Sequence, residues 1–288
     1  MKPTNQAWPH GPRGARVAVL ISVLFESWSD GKFPTYFTRT TPLKPGTVDQ
    51  SAIRWSQYGG NEGIWRIMQI VDDAALPATI FANALAAERY PDAMRQIVRS
   101  GHAVAGHGFA QDQYLLDFDR EGQRATIRKS LDVLERATGK RPEGWTTPVY
   151  GGNEHTIPLL VEAGMRWHCD ALDLSMPRLE QTGNGPIVAI PWCEFVDNRV
   201  LRSNPRDYFD VYKGTFDYLY ANEPMSLLHL AVHAHTGGRP LIAAVFSEIL
   251  RYIKGFPDVW FARHADIARW KLEHPEVDLS AKARFGRS

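Results

Sequence analysis

At 288 residues, 44% of them hydrophobic, the chain can bury one sizeable core, the scale on which α/β barrels fold as a single domain. Its 33 Lys and Arg against 32 Asp and Glu exclude the strong field that would draw in nucleic acid or an anionic membrane surface. Two cysteines, Cys169 and Cys193, form no CxxC pair and suit a reducing compartment better than a disulfide framework, and no apolar run approaches the ~20 residues of a membrane span.

Met1 to Arg16 holds Trp8, His10 and several prolines and glycines, and lacks the apolar run of a secretory signal. We read residues 1–15 as a flexible leader, 16–274 as one catalytic domain and 275–288 as a tail. A cytoplasmic protein is the expectation, which argues against polymeric cell-wall substrates. Arg16 to Phe25 is rich in Val, Ile and Leu without polar alternation, the pattern of a strand covered on both faces in a parallel sheet. It runs into Glu26-Ser27-Trp28-Ser29-Asp30-Gly31. Lys32 to Asn61 follows without a clear period, and so long a connection points to a functional loop, part of a site wall or a subunit contact.

Beyond it, apolar-periodic helices alternate with short apolar strands. Helices are predicted over Glu62–Ala75, Pro91–Ser100, Glu121–Thr138, Thr156–Ala163, Asn204–Ala221, Pro240–Lys254 and His264–Leu272. Strands are predicted over Ala78–Phe81, His102–Gly106, Gly144–Thr147, Trp167–Asp170, Ile187–Trp192, Ser226–His233 and Val259–Ala262. That alternation implies a parallel sheet with helices outside, in enough units to close into a barrel. Barrel chemistry sits at the C-terminal ends of the strands. The polar residues there are Glu26, His107, Asp170, Asp173, His233 and His235.

Glu26 follows the first strand directly. In a partly apolar pocket its pKa would rise toward that of a general base; the alternative is a carboxylate that caps nearby backbone amides. His102 and His107 open and close one short strand with opposite parity, so they face opposite sides, His102 as a structural residue and His107 as a site residue. Leu227 to His235 (LLHLAVHAH) carries His229 inside the apolar run, where it reads as a core histidine, and delivers His233 and His235 into a glycine-rich turn with Arg239. Asp170 and Asp173 either orient a histidine or substrate N–H, or belong to a plain turn. No spacing matches a standard zinc signature.

In sequence order, the strand ending in an acid, GHxxxGHGF, GWTTPVYGGN, WHCDALD and VHAHTGGRP resemble the polysaccharide deacetylase-like (NodB) superfamily, over roughly residues 16–271. HGF, HAHTGGRP and DVWFARHADIARW are most similar to the branch of metal-independent allantoinases and cyclic imide hydrolases. The resemblance implies a distorted (β/α) barrel of the polysaccharide deacetylase (NodB) type. In metal-dependent members the first motif supplies consecutive aspartates, a base and a ligand, and the second two histidine ligands four residues apart. Here those places hold Glu26 and Ser27, then His107 and Gln111, so two of three ligands are missing, and no cofactor is expected. The arginine of the third motif is replaced in the neighbourhood of Thr146 and Thr147.

The resemblance implies a hydrolase that opens the C–N bond of a small cyclic amide: an imide, a hydantoin-like ureide or allantoin. Glu26 would be the base, and His107 or His233 would stabilise the oxyanion or protonate the leaving nitrogen. Asp170 and Asp173 would hold ring N–H groups, with His235 beside them, and Arg239 would bind a polar substituent or brace the turn. Trp28, Phe109 and Trp145 would form flat walls. Two alternatives stand. A one-residue slip in the first motif would let Asp30 or His233 rebuild a zinc site for an amino-sugar N-deacetylase, and a non-catalytic relative would bind without turnover. Neither nucleic acid nor membrane is expected as a partner, and the long loop together with the resemblance implies a homo-oligomer, a tetramer.

Overall fold

The apolar run Val17–Phe25 forms strand β1, buried at every position because neighbours cover both its edges and both its faces. The computed structural model describes residues 8, 14–37, 39–193, 195–223 and 225–286. Eight further strands follow: β2 (Thr79–Ala82), β3 (Ala103–Gly106), β4 (Gly144–Trp145), β5 (Trp167–Ala171), β6 (Arg178–Thr182), β7 (Gly185–Pro191), β8 (Ser226–His233) and β9 (Val259–Ala262). The helices are α1 (Gln50–Tyr58), α2 (Ile64–Asp73), α3 (Ala84–Arg89), α4 (Pro91–Arg99), α5 (Arg120–Thr138), α6 (Thr156–Glu162), α7 (Arg206–Asn222), α8 (Ala234–Gly237), α9 (Pro240–Lys254), α10 (His264–Glu273) and α11 (Ala281–Phe285).

The strands run in the order β6-β7-β5-β4-β3-β2-β1-β8, parallel except for the β6–β7 hairpin. β8 pairs with β1 from Val17 to Leu24, so β9 and β2 must share the other edge, β9 along Val17–Leu20 and β2 along Ser22–Phe25. The sheet curls into the expected (β/α) barrel but is not a closed ladder among the described residues. Side chains span the seam between β7 and β8 instead: the His229 Nδ1–H donates to Pro191 O at 2.8 Å.

Strand parity sorts the side chains. Val17, Val19, Ile21, Val23 and Phe25 pack outward against the helix layer, while Ala18, Leu20 and Leu24 fill the barrel interior with Phe81, Trp167 and Trp192. Ser22 and Glu26 share the inward parity. On β8 the inward set is Leu227, His229, Ala231 and His233. His102, on the opposite parity from His107, accepts from Ala78 N–H and pairs with Asp72, in the structural role expected for it.

Two departures from the sequence reading lie in polar stretches. The Lys32–Asn61 connection is not structureless: its second half is α1, capped by Asp49, whose carboxylate accepts from Ala52 N–H and pairs with Arg39. A π-helical turn, Gly59–Gly63, joins α1 to α2 and lies against α8; a Cβ at Gly63 would stand 1.9 Å from Ala234 O, so only glycine lets the two segments touch. β6 is an edge strand of mixed polar sequence, where the sequence predicts no element. Within the leader, Trp8 is buried edge-on to Trp260 and Trp270 and donates from its indole to Ser226 O, whereas residues 1–7 and 9–13 lie outside the described residues. Leu279 of the tail is also buried.

Candidate active site

The strand ends meet at a cavity of about 790 Å³ that includes Glu26, Trp28, His107 and His233 among its lining residues. Glu26 is 4% exposed and stands at the centre of three imidazoles. Its Oε1 is 3.3 Å from His107 Nε2 and 3.9 Å from His233 Nε2, and its Oε2 is 3.5 Å from His235 Nδ1. The parity of β1 and β8 brings Glu26 and His233 together, since both continue the inward-facing positions of their strands, and the turn into α8 carries His235 to the other oxygen. His107 is fixed by donation from its Nδ1–H to Thr146 O at 2.9 Å. Gly108, at φ +71, then turns the chain where a Cβ would stand 2.6 Å from the Pro148 ring.

Behind His233 lies Asp197, fully buried in a short 3₁₀ segment, Asp197–Val200. Its carboxylate accepts from His233 Nδ1–H at 2.6 Å and from the His233 backbone N–H at 3.0 Å, and so spans the β7–β8 seam. Burial opposes charge on His233, but Asp197 and Glu26 together raise its pKa to about 9. For Glu26, burial would raise the pKa; the charge on His233 and the hydrogen bond from His107 outweigh it and hold the carboxyl at about 2. The raised pKa expected of a strand-end glutamate is therefore corrected. An apolar wall alone would have raised it; three nitrogens prevent that. His235, by contrast, is driven down to about 3 by burial and is neutral.

Several residues expected at the site lie elsewhere. Trp145 points into a core cluster with Leu131, Leu159 and Leu160, because the two-residue strand β4 turns its ring below the mouth. Phe109 packs against the helix layer with the Lys129 ammonium 3.9 Å from its ring. Asp173 is solvent-exposed, pairs with Arg178 and lines a separate cavity of about 460 Å³. Asp170 spends its acceptors on Thr146 Oγ1, Thr147 N and Thr147 Oγ1, so it orders the wall and does not face a substrate. Arg239 stacks over Trp55 and Tyr58 and donates to His235 O and Trp55 O, which makes it a brace for the turn. His235 is enclosed behind Tyr36, Trp28 and Trp55 and does not line the cavity.

Sequence reasoning misses three residues. Asp197 carries no periodic signal, and Tyr36 lies in the unpatterned loop. Asn83, one residue past β2, ties three strand ends together: its Oδ1 accepts from Ser27 N–H, and its amide donates to His107 O. The strand-end rule that finds Glu26 could have found Asn83 as well.

Ser27 and Gln111, the positions that the resemblance pairs with metal ligands, are adjacent through a hydrogen bond from Gln111 N–H to Ser27 O. A hydroxyl, a neutral amide and one imidazole are a poor donor set for a divalent zinc ion, and no group of three or more His, Cys, Asp or Glu among the described residues is arranged to hold a metal. These residues therefore do not fit a divalent zinc ion.

A family model described as polysaccharide deacetylase matches residues 47–168. The solved structure of the Puue allantoinase is 30% identical, with a TM-score of 0.84, and the match covers 95% of each chain. The chain belongs to the polysaccharide deacetylase family. It is by that family a hydrolase, and its curled sheet is the family's barrel. A probable polysaccharide deacetylase from Pseudomonas aeruginosa is 28% identical, with a TM-score of 0.83 over 95% of this chain and 96% of that one. Among curated polysaccharide deacetylase relatives, a peptidoglycan deacetylase-like protein of Gibberella zeae is 29% identical over 91% of this chain and 88% of its own length. The peptidoglycan deacetylase of Helicobacter pylori is 22% identical over 73% and 84%. No helix among the described residues is long and apolar enough to cross a membrane.

Proposed function

We propose that the protein opens the C–N bond of a small cyclic amide, an imide, a hydantoin-like ureide or allantoin, by acid–base activation of water. The observation that carries this reading is the placement of Glu26 beside an Asp197-backed His233, which lowers the pKa of the carboxyl and raises that of the imidazole, at a mouth that also holds Ser27 and Gln111. At neutral pH a deprotonated carboxylate can take a proton from water and a protonated imidazole can give one to a leaving nitrogen. Water gives its proton to Glu26 as its oxygen bonds to the ring carbonyl carbon. His233 Nε2–H faces the developing oxyanion and then gives its proton to the ring nitrogen as the C–N bond breaks, while His107 flanks the base. The proton on Glu26 returns to His233, and the product carries a new carboxyl group where the ring opened. Trp28, Tyr36, Tyr150 and Trp192 line the cavity and offer flat walls to a planar ring.

A second reading, hydrolysis of an N-acetyl group, is favoured by the names of most of the relatives. One experiment separates the two: the purified protein is assayed on succinimide, maleimide, dihydrouracil, hydantoin and allantoin, and on N-acetylglucosamine oligomers, each with added zinc and with a chelator. Ring opening that ignores the chelator supports the first reading. Acetate release that appears only with zinc overturns it.

A further inference from the structure

His235 is enclosed by groups from four elements. Glu26 from the end of β1 faces its Nδ1, Tyr36 from the long connection faces its Nε2, His233 lies 5.4 Å away between ring centroids, and Arg239 donates to its backbone carbonyl. The edges of Trp28 and Trp55 close the remaining sides. A neutral imidazole has one N–H, and here it has two places to go. On Nε2 it would donate to the Tyr36 oxygen, 2.5 Å away, and leave a bare, buried Nδ1 lone pair facing the carboxylate Oε2. On Nδ1 it points at Oε2, 3.5 Å away, and the Tyr36 hydroxyl donates to Nε2. Neither Nδ1 nor Oε2 has a hydrogen-bond partner among the described residues, and both are buried, so only the second arrangement sets opposite partial charges against each other.

We propose that Tyr36 is a positioning residue: its hydroxyl fixes His235 as the Nδ1–H tautomer, which aims an N–H at the second oxygen of Glu26 and leaves Oε1 for water. This rests on the reading of Glu26 as the base. It also gives the Lys32–Asn61 connection a chemical task, since the base is fully supported only when that segment is folded over the site. Burial, together with Glu26 and Asp197, raises the Tyr36 phenol well above its usual range, so the hydroxyl keeps the proton it donates.

The test uses the full chain with ¹⁵N-labelled histidine. In the wild-type protein near neutral pH, His235 shows a protonated Nδ1 and a bare Nε2, and in Tyr36→Phe a population with the proton on Nε2 appears. In the assay, Tyr36→Phe lowers kcat about tenfold with KM little changed, and the acid limb of the kcat/KM profile moves to higher pH. In His235→Asn the amide Nδ2 replaces Nδ1–H and needs no tautomer, so adding Tyr36→Phe to that background changes nothing further. A protonated Nε2 in the wild-type protein overturns the proposal, as does an equal Tyr36→Phe loss in both backgrounds. The wild-type nitrogen shifts need no substrate and no variant that must fold, so they stand or fall apart from the ring-opening reading.

Discussion

The barrel holds two buried histidine clusters one above the other, and they behave differently. At the mouth, His107, His233 and His235 surround Glu26, with charges present and two buried polar atoms, Glu26 Oε2 and His235 Nδ1, left without hydrogen-bond partners among the described residues. Below them, the interior cluster is a closed chain of neutral donors and acceptors. Thr79 donates to His264 Nδ1, His264 Nε2–H to Ser22, Ser22 to His229 Nε2, and His229 Nδ1–H to Pro191 O. Burial lowers the pKa of His229 to about 4 and that of His264 well below its usual value. In the proposed reaction the same residue type in the same barrel acts where a carboxylate enters the ring of nitrogens and stays idle where every proton already has a destination.

The largest break in this contrast comes from removing the carboxylate. Glu26→Gln should lower kcat by about 10³-fold with an unchanged melting temperature; turnover near wild type would remove Glu26 from the chemistry. Next is Asp197→Asn, which takes the counter-charge from His233. The acid must be protonated to act, so the rate falls as pH rises through about 9 in the wild type. The variant's alkaline limb should move toward neutral pH and kcat should drop about 10- to 100-fold; an unmoved limb would show that His233 is not the acid.

The interior cluster should show itself in stability rather than rate. A histidine whose folded pKa is lowered from 6.5 to about 4 contributes fully above pH 6.5, and the contribution is lost as pH falls from 6.5 toward 4, because the unfolded chain takes the proton first. At 1.36 kcal/mol per pH unit, His229 alone accounts for a loss of about 3 kcal/mol across that window, to be read from denaturant unfolding at several pH values. Stability that is flat between pH 6.5 and 4 would contradict the neutral chain. Smallest of all, Ser22→Ala breaks the chain at its middle and should cost about 1 to 3 kcal/mol while leaving kcat near wild type. A large rate loss in that variant would mean that the two clusters are coupled.

How much of this was legible in the sequence depended on burial. Ser226–His233 and Val259–Ala262 are strands over the predicted bounds, because continuous apolar runs have no other way to be satisfied within a sheet. α1 escapes notice because only Ala52 and Ser56 of its nine residues are buried, so it shows no apolar stripe; its Asp49 cap was the available signal. β6 escapes because an edge strand of exposed, mixed residues carries little pattern. At the site, strand ends plus parity locate Glu26, His107 and His233. The same rule overreaches with Asp173, which lies past the end of β5, and the flat wall expected of Trp145 fails because its ring turns into the core. Asp197 and Tyr36 come from segments with no repeat at all, and their roles arise only when the chain folds back on itself.

The unzipped side of the sheet has a consequence of its own. Among the described residues no backbone ladder holds β7 to β8, so the two staves of the barrel are stitched by His229 on Pro191 and by Asp197 on His233. In the proposed reaction the second stitch is also the proton donor. Each time His233 gives up its proton, the ionic half of that fastening weakens, and the wall is at its loosest just as a longer, ring-opened product has to leave.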